Sequence, residues 1–216
     1  MMKSLRMCAV AVLSAGATFM ALSPAQAANL IDDGDFAVPN VGSGWGFFNN
    51  GSVGQWTNTN GDAIEVGNSA IYGLPCFSGS VCQNLEVNAN TFDTVSQTLT
   101  GLVVGQTYNL SWAYGGRTGG GPQALNVSFG GTLLTQNTGS LGAWTINAFS
   151  VLATSSSETL TFSALDLGGL PSYGNEITNV SFSAVPEPMS WAMMLLGFGG
   201  LGAVVRNRRK QQAVSA

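Results

Sequence analysis

The 216-residue sequence contains no histidine. That removes the commonest general base, the usual catalytic triads and most zinc sites. Cations are nearly as scarce. Of 7 Lys and Arg, Lys3 and Arg6 lie near the start, and Arg206, Arg208, Arg209 and Lys210 near the end. Only Arg117 falls between them. Ten of the 11 acids, all but Glu187, lie in 28–185, so this stretch carries one cation against ten acids, a formal charge of about −9. Such a surface repels phosphate backbones and gains nothing from counterion release, which argues against nucleic acid as a partner. Between 28 and 185 no apolar pattern of helical period is sustained over two turns, and no internal repeat is evident.

The two ends are apolar instead. Residues 1–27 combine Lys3 and Arg6, an apolar stretch from Met7 to Leu22, and a small-x-small site at Ala25 and Ala27. This is the pattern of a secretory signal peptide cut after Ala27 by signal peptidase, with an N-terminal membrane anchor as the alternative. At the other end Pro186, Glu187 and Pro188 precede Met189 to Val205, 17 residues without a charge. As a helix they reach ~25 Å, the lower limit for crossing a bilayer, so a transmembrane helix is expected over 189–205. The basic cluster 206–210 fixes its orientation, with 211–216 cytoplasmic and everything before Pro186 outside. Cassette, apolar run and Arg cluster resemble the PEP-CTERM sorting signal of bacterial exported proteins. The resemblance implies that Pro186, Glu187, Pro188, Arg206, Arg208 and Arg209 serve sorting, and that an exosortase-type enzyme cuts near the Pro-Glu-Pro. It further implies passage through the inner membrane of a Gram-negative-type bacterium, ending at the cell surface or in extracellular matrix.

Residues 28–185 form one domain-sized stretch of 158 residues. Period two recurs along it. Val95, Gln97 and Leu99 share a face, as do Tyr108, Leu110, Trp112 and Tyr114, and Leu125, Val127 and Phe129. Gly130 and Gly131 before 132–134 predict a hairpin turn of the primed type. Further strands are expected over 144–151, 158–164 and 179–184. Short alternating strands between turn residues predict an all-β antiparallel sandwich. The stretches 29–36 and 95–110 are similar to the galactose-binding-like jelly rolls of carbohydrate-binding modules. Three departures stand out: Asp33 where that family has Asn, Ala37 where it has Glu, and Thr178 where it has Asp.

Candidate chemistry is sparse. Cys76 and Cys82 are expected to form a disulfide in an oxidising compartment; a redox pair is the alternative, disfavoured by five intervening residues and no nearby cation. Asp32, Asp33 and Asp35 surround Gly34. In similar jelly rolls a structural calcium joins first strand to last, which would make Asp33, Asp35 and Glu176 its ligands; the alternative is a polar turn. No other cofactor is indicated. Trp45, Phe47 and Asn49 lie in a segment mixing aromatics, Gly and Asn, suited to stacking on sugar faces and bonding hydroxyls. Trp56 in the same segment is expected to plug the core. Arg117 is either a guanidinium forked onto a buried acid or a ligand anchor. The remaining carboxylates show no spacing that selects a catalytic pair and read as solvated surface acids. The expectation is a non-catalytic surface or matrix protein contacting extracellular polysaccharide. A carboxylate-dependent glycan hydrolase and a structural surface protein without ligand are the rivals.

Overall fold

The computed structural model describes residues 27–60, 63–139, 141–185, 194–202 and 206. Among the described residues are eleven strands: β1 (Trp45–Phe48), β2 (Thr57–Asn58), β3 (Ile64–Asn68), β4 (Gln83–Glu86), β5 (Thr94–Thr100), β6 (Thr107–Gly116), β7 (Ala124–Phe129), β8 (Thr132–Thr138), β9 (Thr145–Leu152), β10 (Ser157–Leu165) and β11 (Asn175–Ala184). They form two antiparallel sheets, a six-stranded one ordered β1-β3-β4-β11-β6-β9 and a five-stranded one ordered β2-β5-β10-β7-β8. The expected period-two faces supply the filling: Val95, Gln97, Leu99, Tyr108, Leu110, Trp112, Tyr114, Leu125, Val127 and Phe129 are all buried. Rings join the sheets across the middle. Trp112 of β6 meets Phe162 of β10 at 5.8 Å, and Phe182 of β11 meets Phe129 of β7 at 5.0 Å. Facing sheets with one shared apolar layer make this an antiparallel β-sandwich. Gly130 and Gly131 both have positive φ, 55° and 79°, as the primed turn between β7 and β8 requires.

Trp56 plugs the core, fully buried, with Phe36 at 5.5 Å and Phe162 at 6.0 Å. Its indole N–H donates to the Asp33 carbonyl at 3.2 Å, so the buried ring leaves no orphaned donor. The segment before β1 is tied to the sandwich by backbone and amide bonds. Leu30 N–H donates to Phe182 O at 2.7 Å, Val180 N–H to Gly34 O at 2.8 Å, and Gln97 brackets the Asp32 peptide through both amide atoms. A Cβ at Gly34 would stand 2.1 Å from Val180 O, so only glycine allows this approach. The register of β11 shifts between Thr178 and Ser181 at this contact, with Asn179 at a φ of 51°.

Within the described residues no helix is long and apolar enough to cross a membrane. Residues 194–202 are helical, but the rest of the 189–205 segment lies outside the described residues, as do 1–26, Pro186, Glu187, Pro188, Arg208 and Arg209.

Candidate functional site

Strand register places three glutamates in a row. Glu65 of β3 stands opposite Glu86 of β4, and Glu86 opposite Glu176 of β11. Their chain neighbours Val66, Leu85 and Ile177 point into the core, so the row occupies the outer face of the six-stranded sheet. It continues to Phe47 of β1 on one side and Gly115 of β6 on the other. The expectation of solvated surface acids fails here: Glu65, Glu86 and Glu176 are all buried. The cause is a cover over the outer face that the strand pattern does not announce.

That cover is built by the 3-10 turn Ser69–Tyr72 and the segment after it. Tyr72 lies across Gly67, where a Cβ would come within 2.1 Å of the phenol oxygen. Leu74 and Trp144 close over Gly115 in the same way, at 2.8 and 3.1 Å from a Cβ there. Trp144 indole N–H donates to Pro75 O at 2.7 Å, and Cys76 and Cys82 are joined as the expected disulfide. The bridge closes the segment that follows Tyr72, which shortens the excursions open to the unfolded chain.

One cation serves the three acids. Arg117 Nη1 meets Glu86 Oε2 at 2.9 Å and Ser172 O at 3.3 Å, so the expected guanidinium fork is instead a one-nitrogen contact. The guanidinium is sandwiched between the rings of Tyr173, at 4.0 Å, and Tyr72, at 4.9 Å. Glu86 also accepts from Gly174 N–H at 2.6 Å, and Glu65 from the Tyr72 hydroxyl at 2.9 Å. Glu176 accepts from the Asn84 amide. Burial raises all three carboxyls. It pushes Glu86 up to about 8, helped by Glu65 and opposed by Arg117. Glu176 is held well above the usual carboxylate range by burial and then by Glu86 and Glu65. Glu65 is raised by burial and held back chiefly by the Tyr72 bond. The same burial drives the Tyr72 phenol upward.

Two buried oxygens of this cluster, Glu176 Oε1 and Asn84 Oδ1, have no hydrogen-bond partner, although the same two residues are already bonded to each other. A proton on Glu176 Oε1 satisfies both oxygens at once, closing an acid–amide pair.

Beside the row opens a cleft of about 280 Å³ lined by Trp45, Phe47, Glu65, Tyr72, Ala89, Asn90, Arg117 and Ser172. Trp45 and Phe47 are 53% and 44% exposed and meet edge to face at 5.1 Å. Of the residues expected from sequence, Trp45, Phe47 and Arg117 thus share one site. Asn49 does not line it; its carbonyl accepts from Ser52 N–H in the turn after β1. Glu65, Tyr72, Glu86 and Glu176 are site residues that sequence reasoning missed as such.

Of the three residues expected to hold calcium, Asp33 and Glu176 each accept hydrogen bonds through one carboxyl oxygen, while Asp33 Oδ2 and Glu176 Oε1 are buried without a hydrogen-bond partner. Asp33 Oδ1 accepts from Ala37 N–H at 2.7 Å and Val38 N–H at 3.3 Å, as a turn residue does, while burial raises its carboxyl. Glu176 belongs to the glutamate row. Among the described residues no three acids, cysteines or histidines are grouped to hold a metal.

Comparison with known proteins gives three kinds of similarity. Halomucin of Haloquadratum walsbyi (strain DSM 16790 / HBSQ001) is 29% identical over 196 residues, which is 85% of this chain. The match spans only 2% of that protein's length. Among solved structures, the CBM22-1 xylan-binding domain from Paenibacillus barcinonensis is 13% identical with a TM-score of 0.49, covering 75% of this chain and 97% of that domain. A family 35 carbohydrate binding module from Clostridium thermocellum is 10% identical with a TM-score of 0.42, covering 64% and 96%. The remaining match is to a family model: residues 184–210 carry the PEP-CTERM protein-sorting motif, which marks the chain for export to the cell surface or extracellular space.

Proposed function

We propose that the sandwich is a non-catalytic binding domain for extracellular polysaccharide, delivered by the sorting motif and released or attached after processing by an exosortase-type enzyme. The observation that carries this reading is the cleft. Two large aromatic rings stay exposed on β1 directly beside polar groups that are already fixed by their own partners. Exposed ring faces stack on the apolar faces of sugars, while a rigid polar wall bonds their hydroxyls without first losing side-chain freedom. Arg117 contributes as a wall of this kind, locked by Glu86 and two tyrosines.

The hydrolase reading draws on the glutamate row, since glycoside cleavage uses a pair of carboxyls. Against it, Glu65 is the one member that lines the cleft; Glu86 and Glu176 face Arg117, Gly174 and Asn84 beneath the cover. Affinity electrophoresis through gels containing insoluble and soluble polysaccharides tests the proposal, with Trp45→Ala beside the natural protein. Retardation by at least one polymer is expected, weakened about tenfold or more by the substitution while circular dichroism stays unchanged. Release of reducing ends from the retarding polymer would favour the hydrolase instead.

A further inference from the structure

The one cation of the cleft wall is already committed. Among the described residues Arg117 is the single cation beside the row, and it is bound to Glu86 beneath the cover, which leaves Glu65, the acid that lines the cleft, without a cation of its own. The stretch 28–185 as a whole holds ten acids and this one arginine. A polymer of uronic acids or sulfated sugars would therefore meet repulsion at close range and over distance. Trp45 and Phe47 add a second observation, independent of the acids. Arg117 already occupies the faces of Tyr72 and Tyr173, whereas among the described residues no cation lies over the two exposed rings of β1. A ring face beside a carboxylate is the arrangement that recognises an ammonium group.

Building on the polysaccharide reading, we infer that the preferred ligand is a polymer of amino sugars whose primary amines carry a proton. Its pyranose rings stack on Trp45 and Phe47, and one ammonium group faces Glu65, whose Oε1 is held by the Tyr72 hydroxyl. The incoming charge gives Glu65 the cation that Arg117, held by Glu86, does not supply. By favouring the ionised form of carboxyls that burial raises, it also makes binding release protons to the buffer. Replacing the ammonium by an acetamide keeps the ring and removes the charge, which separates this inference from generic stacking.

The test is calorimetric titration of the mature protein with matched oligomers of glucosamine, N-acetylglucosamine and glucose, and with an oligogalacturonate, at a mildly acidic pH where the amine is charged. The glucosamine oligomer is expected to bind about tenfold or more tighter than its acetylated twin, the worth of one charge-assisted contact. Its observed heat should differ between buffers of unequal ionisation enthalpy in the direction of proton release, and Glu65→Gln should abolish the preference. Equal or tighter binding of the neutral oligomers would overturn the amino-sugar inference and leave the polysaccharide reading standing. Tighter binding of the oligogalacturonate would overturn it likewise. Failure of all four oligomers would remove both. Should Glu65→Gln not fold, the ratio of affinities and the buffer dependence of the natural protein still decide.

Discussion

Replacing Glu176 by Gln should stabilise this protein at neutral pH, although the position is fully buried. Glu176 Oε1 and Asn84 Oδ1 lack partners unless the carboxyl is protonated. A glutamine amide supplies the same donor and acceptor without titrating, pairing with Asn84 on both sides. A carboxyl raised by folding stabilises the native state fully below its unfolded value, here 4.5, and that stability is lost as pH rises towards the folded value. The loss is about 1.4 kcal/mol for each pH unit over which the native state keeps one extra proton. Glu86, the next carboxyl, is itself pushed up to about 8, so the row retains protons through neutrality. Near pH 4.5 the natural protein and Glu176→Gln should therefore be about equal in stability. As the pH rises from there the variant should draw ahead, each pH unit over which Glu176 keeps its proton being worth roughly 3–6 °C in melting temperature for a body of this size. Chemical denaturation at a series of pH values measures this. The groups that face Glu176 are Glu86, Glu65, Arg117, Tyr72 and Tyr114, and the substitution leaves all of them in place. Stability curves of the two proteins running parallel against pH would refute the reasoning, as would a variant less stable at neutrality.

Arg117→Gln removes the one cation that the described residues place beside the row and leaves Glu86 buried without it. A loss of about 3–5 kcal/mol is expected above pH 8, where Glu86 is ionised, shrinking as the pH falls through about 8 and Glu86 takes up a proton; urea unfolding on the two sides of that pH checks this. Trp56→Ala empties the fully buried site between Phe36 and Phe162 and orphans the Asp33 carbonyl contact. It should cost about 3–5 kcal/mol by the same measurement, with no pH dependence of its own.

The strands legible in sequence are those whose outer side meets water. Tyr108, Leu110, Trp112 and Tyr114 alternate with Thr107, Asn109 and Ser111, because β6 begins with one face exposed. Strands β3 and β4 gave no such signal. In β4, Gln83, Asn84, Leu85 and Glu86 are all buried, since Tyr72 and Leu74 of the turn Ser69–Tyr72 and the segment after it close over the side opposite the core. Without an exposed face a strand loses its period. The glutamate row was hidden for a related reason. Glu65, Glu86 and Glu176 lie far apart along the chain, and only the register of β3, β4 and β11 brings them together. By contrast Trp45, Phe47 and Arg117 could be singled out from composition alone. Two rings in a Gly- and Asn-rich stretch, and one cation in 158 residues, are anomalies of the chain itself.

Strand β11 runs between β4 and β6, and its last residues are stitched down to Val185, whose N–H donates to Thr107 O at 3.0 Å and whose carbonyl accepts from Gln106. Residue 184, the final residue of that strand, is also the first of the sorting motif. A translation product that stops before β11 therefore forfeits two things together: the postal code, and the keystone without which β1, β3 and β4 part company with β6 and β9. Such a copy can be neither addressed nor held in one piece in its larger sheet.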